Sequence, residues 1–180
     1  LTVNDMTKRG WNIGRLAPAL FAYFLQPPSM TGVFPFVQPA PFETTYLGQT
    51  IKEITFGGVL ACLPILWILP FSRRILALRF KTRSTRTIAG VIIALLFGGV
   101  LVALMDAQMA GILQRYYADF SFMFMAASVL LAFVVNENLR PGSTAQVLLM
   151  KGLLTLVCIS VLYVALLCFV PETGWFSDIY

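Results

Sequence analysis

Residues 72–87 read S-R-R-I-L-A-L-R-F-K-T-R-S-T-R-T and carry six cations: Arg73, Arg74, Arg79, Lys81, Arg83 and Arg86. No acidic residue lies between Glu53 and Asp106, and a long uncharged apolar run flanks the cluster on each side. Loops rich in Lys and Arg stay on the cytoplasmic side of a membrane. The stretch therefore predicts two membrane crossings joined by a cytoplasmic loop. Its cations can also attract anionic lipid headgroups, but orientation alone accounts for them.

Composition agrees. Of 180 residues, 58% are hydrophobic and 12% charged, with a mean hydropathy of +0.81. A soluble domain is about 25% charged, so this chain has too little polar surface to cover a soluble globule. The net charge of +5 would suggest nucleic acid in a soluble protein. Here the cations sit beside apolar spans, and no basic helix with interleaved aromatics is present, so nucleic acid is not an expected partner. There is no histidine, and Cys62, Cys158 and Cys168 all lie in apolar runs without a C-x-x-C pair. They read as small hydrophobes inside helices, with no metal or cofactor expected.

Outward from the basic stretch, the expected fold is all-α: an integral membrane bundle of four transmembrane helices plus one short interfacial helix. The first span is 54–72, with Pro64 predicting a kink and Pro70 the end. Gly57 and Ala61 offer a close-packing face, and Trp67 an interfacial anchor. The second is 87–105, where Gly90, Ala94 and Gly98 recur every four positions, with Gly99 and Ala103 beside them. The third is 120–136, of full spanning length when counted from Tyr116. The fourth is 152–170. It continues a helix that starts at the S-x-x-Q capping box of Ser143 and Gln146 and stops at Pro171.

Three regions result: 1–53 as an extracytoplasmic or interfacial segment, 54–170 as the four-helix transmembrane region, and 171–180 as an extracytoplasmic tail. Within the first, Asn12 and Pro18 suit the start of a helix over 16–25. That helix is too short to cross and ends at Pro27-Pro28. It suits an interfacial or re-entrant position or the bundle core. Five prolines between 27 and 41 exclude regular helix from the following loop. Its interleaved Phe34, Phe36, Phe42 and Tyr46 predict a loop lying on the membrane surface or against the bundle. With the basic loop inside, Arg140 and Lys151 also fall inside. Both ends and the turn around Gln114 fall outside. The chain starts without methionine or a signal-peptide pattern, so we expect a fragment of a longer polytopic protein.

The residues best suited to chemistry are Arg115, Tyr116, Tyr117 and Asp119, in the stretch Q-R-Y-Y-A-D-F at the outer mouth of the third span. A helix starting near Leu113 puts Arg115 and Asp119 one turn apart on one face. Asp106, at the end of the second span, can also reach Arg115. An arginine here can hold a phosphate bidentately, and the tyrosines can stack on a sugar or lie along a prenyl chain. The same residues also suit a plainer role, as interfacial tyrosines and a helix-tying ion pair. A second set, Asn4, Asp5, Lys8, Arg9, Trp11 and Arg15 with Glu43 and Tyr46, suits either the wall of a groove or a cap over the bundle. No nucleophile–base pair and no phosphate-binding glycine loop is visible.

The L-T-V-N-D-M-T-K-R-G start, the F-L-Q-P-P-S-M-T-G-V-F-P-F loop and the A-G-I-L-Q-R-Y-Y-A-D-F turn resemble the C-terminal region of large bacterial polytopic membrane proteins. Those are similar to the GT-C glycosyltransferases, which use polyprenyl-phosphate sugar donors. The resemblance implies the C-terminal membrane part of an enzyme of the bacterial cytoplasmic membrane. It would move a sugar from a lipid-phosphate donor to an extracytoplasmic acceptor. Its partners would be membrane lipids, a polyprenyl-phosphate sugar and the upstream remainder of the same polypeptide. In such enzymes the catalytic acids sit in the first outer loop, which would precede Leu1. No catalytic residue is therefore carried over, and neither Asp5 nor Asp119 matches a catalytic motif. The rival expectation is non-enzymatic: a lipid or polysaccharide transporter, or a membrane assembly subunit, in which Arg115 and Asp119 are structural.

Overall fold

The computed structural model describes residues 13–40, 43–46, 49–52, 55–71, 83–109 and 116–170. A 3-10 turn, Ile13–Arg15, leads into α1, Leu16–Leu25, whose second half is π-helical. Two short antiparallel hairpins follow. The first pairs β1 (Ser29–Met30) with β2 (Val37–Gln38), and the second β3 (Glu43–Tyr46) with β4 (Gln49–Lys52). Next come α2 (Val59–Cys62), a 3-10 segment (Pro64–Phe71), α3 (Arg83–Met109), α4 (Tyr116–Asn138) and α5 (Thr144–Leu167). The basic segment between the 3-10 segment and α3, residues 1–12 and the tail 171–180 lie outside the described residues.

The last three helices are long and apolar enough to cross a membrane. At 1.5 Å per residue even the shortest exceeds the ~30 Å hydrocarbon core. Their outer faces carry large apolar side chains such as Phe97, Phe122, Phe133, Leu154 and Leu162, all exposed. On α5 only Ser160 and Tyr163 are buried. Apolar surface of that extent is unfavourable in water and at home in lipid. The molecule is a mainly helical, multi-pass membrane architecture.

α3 and α4 form the central antiparallel hairpin. Ala103 and Ala107 share a core with Tyr117, Phe120 and Phe124 at one end. Ile92 packs with Ala127 and Leu131 at the other. The hairpin is close because its small residues face aromatics: a Cβ on Gly99 would sit 3.1 Å from the Phe124 ring. The predicted glycine stripe divides. Gly98 and Gly99 meet α4, while Gly90 and Ala94 face outward, with nothing against Gly90 among the described residues.

The region expected as the first span is not one continuous α-helix. Thr55–Gly58 is non-helical, α2 lasts one turn, and the chain breaks at Leu63 (φ −124, ψ 73) before the 3-10 segment begins at Pro64. The cause is local. A proline pushes the preceding residue out of the helical region and cannot donate to the carbonyl four residues back. That carbonyl belongs to Leu60, and Trp67 Nε1 donates to it instead, at 2.9 Å. Pro70 lies within the 3-10 segment rather than ending it.

α1 packs into the bundle as well as facing outward. Ala19, Ala22 and Tyr23 are fully buried, whereas Phe21 and Leu25 are exposed. Sequence reading also missed the two hairpins, which sit in the proline-rich loop where regular helix is excluded. The first hairpin lies against the bundle, while Phe42 lies outside the described residues. Val37 packs with Phe56, Cys62 and Tyr163, and the Phe34 ring is 5.4 Å from that of Phe169. The Ser143 cap forms, with Ser143 Oγ accepting from Gln146 N at 3.3 Å. The Gln146 side chain reaches back to Gly142 N rather than to Ser143 N.

Candidate functional site

The sequence-selected residues belong to the mouth where α3 ends and α4 begins. Arg115 lies outside the described residues, so its predicted pairing with Asp119 is not visible. The other three separate sharply. Asp119 is exposed, Tyr116 half-buried and Tyr117 buried. The side chains at 117 and 119 leave the helix about 200° apart at 3.6 residues per turn, so one goes into the core and the other to the outside.

Tyr117 is held on two sides. Its hydroxyl donates to the carbonyl oxygen of Ala22 at 2.9 Å, and its ring meets that of Tyr23 edge-on, with centroids 5.2 Å apart. Phe120 touches both rings, and Phe24 and Phe124 extend the cluster. Ala22 lies in the π-helical end of α1. A hydroxyl bound to a backbone oxygen within an aromatic core positions α1 against the hairpin.

Asp106 is the group on α3 that faces the mouth. Its Oδ2 is buried and accepts no hydrogen bond among the described residues. Asp119 is near enough to act on it electrostatically. Removing a carboxylate oxygen from water without a hydrogen-bond donor costs on the order of several kcal/mol. A carboxylate in that position can accept from a hydrogen-bond donor or a guanidinium. Asp106 was recognisable in the sequence as an acid at a span end. Its burial was not, because that depends on how closely α3 and α4 pack.

A second polar group lies inside the fold and escaped sequence reading. Gln26, buried at the end of α1, accepts from Thr55 Oγ1 through Oε1 at 3.2 Å. Its backbone oxygen accepts from Gly58 N at 2.7 Å. A Cβ on Gly58 would come within 2.6 Å of the Phe24 carbonyl carbon, so only glycine allows this approach. Two interrupted elements satisfy each other's backbone here, which an apolar medium demands. Of the outer-loop set, residues 4–11 lie outside the described residues. Glu43 and Tyr46 lie on the β3–β4 hairpin.

Comparison with known protein families, with curated proteins and with solved structures finds no match to this chain.

Proposed function

We propose that this chain is the membrane-embedded helical part of a GT-C-like glycosyltransferase, working on a lipid-linked phosphate-sugar at the mouth of α3 and α4. The observation that carries this reading is the buried Oδ2 of Asp106, which has no hydrogen-bond partner among the described residues and feels the charge of Asp119. Ionisable groups at membrane depth are costly, and they persist where function requires them. Arg115, adjacent in sequence to Tyr116, would hold the donor phosphate. Asp106 and Asp119 would orient its guanidinium, and Tyr116 would lie along the lipid or sugar. Tyr117 would act behind them by fixing α1.

The same reading has four crossings, with residues 55–71 as the first and both ends outside the cytoplasmic membrane of a bacterium. What supports the extra crossing is length. Four non-helical residues, one α-turn and eight 3-10 residues give a contour of up to roughly 35 Å, against a ~30 Å core. Reporter fusions after residues 80 and 142, against fusions after 112 and 175, test the topology. Both members of the first pair should report the cytoplasm and both of the second the outside.

The experiment on function is Arg115→Ala in the full-length protein, assayed for transfer from a polyprenyl-phosphate sugar. Loss of transfer at a normal protein level is expected. Undiminished transfer removes Arg115 from the site. A second reading, a transporter, draws on the interrupted elements α1 and 55–71, because discontinuous helices meeting within the membrane are a feature of transport sites. Substrate uptake into vesicles without glycosyl transfer would favour it.

A further inference from the structure

We propose that the cleft between α4, α5 and the 3-10 segment binds one anionic glycerophospholipid, with an acyl chain inside and the headgroup at Arg140 and Lys151. The cleft encloses about 180 Å³ and is almost wholly apolar. Buried Ile65 and half-buried Ala132 line it, with the exposed side chains of Val129, Phe133 and Met150, which we take as its rim. Its one polar lining residue among the described residues is Asn136. Asn136 accepts from Gln146 Nε2 at 3.0 Å, tying the last turn of α4 to the first turn of α5.

The occupant follows from where the cleft opens and what stands at its end. Its rim belongs to two membrane-length helices, so it opens to lipid rather than to water. An unfilled space there forfeits dispersion contacts that a flexible chain restores. The Asn136 end lies beside the turn that joins α4 to α5, where Arg140 is exposed. Lys151, also exposed, directly follows the rim residue Met150. Glu137 is the single acid between Asn136 and Lys151, so cations outnumber acids two to one. A lysine stem can lie along the apolar rim while its ammonium reaches the headgroup layer. Apolar cleft and cationic end together match an anionic phospholipid better than a zwitterionic one.

Native mass spectrometry of the purified full-length protein tests this, with dioleoyl phosphatidylglycerol and dioleoyl phosphatidylcholine added in equal amounts. One phosphatidylglycerol should survive detergent removal, at least fivefold over phosphatidylcholine. Ala132→Trp fills the cleft and should abolish retention. Should that variant fail to fold, Met150→Trp at the exposed rim makes the same test. Arg140→Gln with Lys151→Gln should leave lipid bound but remove the preference. Equal retention of the two lipids by the wild type overturns the proposal. So does undiminished phosphatidylglycerol in a folded cleft-filling variant. A cleft occupied by another helix or a second copy would retain no lipid and would leave Ala132→Cys unreactive to a membrane-soluble maleimide, which also overturns it.

Discussion

The hydroxyl of Tyr117 lies 2.9 Å from the carbonyl oxygen of Ala22, joining the first turn of α4 to α1 across 95 positions of sequence. The partner oxygen sits in a π-helical turn, where the regular helical ladder is already disturbed. Tyr117→Phe keeps the ring and deletes the donor. It should cost about 1–3 kcal/mol, the penalty of an unsatisfied buried carbonyl. Tyr117→Ala also empties part of the aromatic core and should cost about 3–5 kcal/mol. Thermal unfolding of the detergent-solubilised protein measures both. Equal stability of Tyr117→Phe and wild type would show that the bond contributes nothing.

Trp67 and Pro64 form a coupled pair. The proline leaves the Leu60 carbonyl without its usual helical donor, and the indole supplies one. Trp67→Phe should therefore destabilise by about 1 kcal/mol. On a Pro64→Ala background a backbone N–H becomes available, and the same substitution should cost clearly less. A double-mutant cycle reads the difference directly. Additive effects would mean that the indole is placed by the interface alone.

Gly58 tests the meeting of the interrupted elements. Gly58→Ala drives a methyl group against the Phe24–Leu25 backbone and should cost about 1–3 kcal/mol through overpacking. Gly90→Ala is the control, since nothing among the described residues lies within 4 Å of its added carbon. There the substitution should leave stability unchanged or raise it by up to about 1 kcal/mol, because alanine is the better helix former. Melting temperatures of the two variants separate packing from propensity.

The three long helices were legible because hydropathy over some twenty residues is set by the bilayer and not by tertiary contacts. The Ser143 cap was legible for a similar reason, being a local hydrogen bond. Residues 55–71 were apolar enough to suggest a fourth helix. The consequences of Pro64 depended on a donor from Trp67 and a partner at Gln26, both outside local pattern. The tyrosine pair at 116 and 117 shows the same limit. Their identity suggested an interfacial belt, while the fate of Tyr117 was decided by Ala22 and Tyr23, far away in sequence. Asp106 could be picked out, but not the loss of water around one of its oxygens.

Asp106 separates a packing role from a functional one. Its Oδ2 is buried and without a hydrogen bond among the described residues, and Asp119 adds a like charge nearby. Asp106→Asn removes one charge, relieves the repulsion and keeps the shape. If the acid serves only to pack the helix end, the variant should be more stable and otherwise unchanged. In the proposed site it instead pairs with and orients the guanidinium of Arg115, so the variant breaks that pair and should gain no stability, with a fall in glycosyl transfer of roughly 10²-fold. Asp119→Asn, at an exposed position, should leave stability within about 0.5 kcal/mol and lower transfer less. Unfolding curves and transfer rates on the same preparations check both halves. A more stable Asp106→Asn protein with full activity would confine Asp106 to a structural role and leave the proposed site without its central acid.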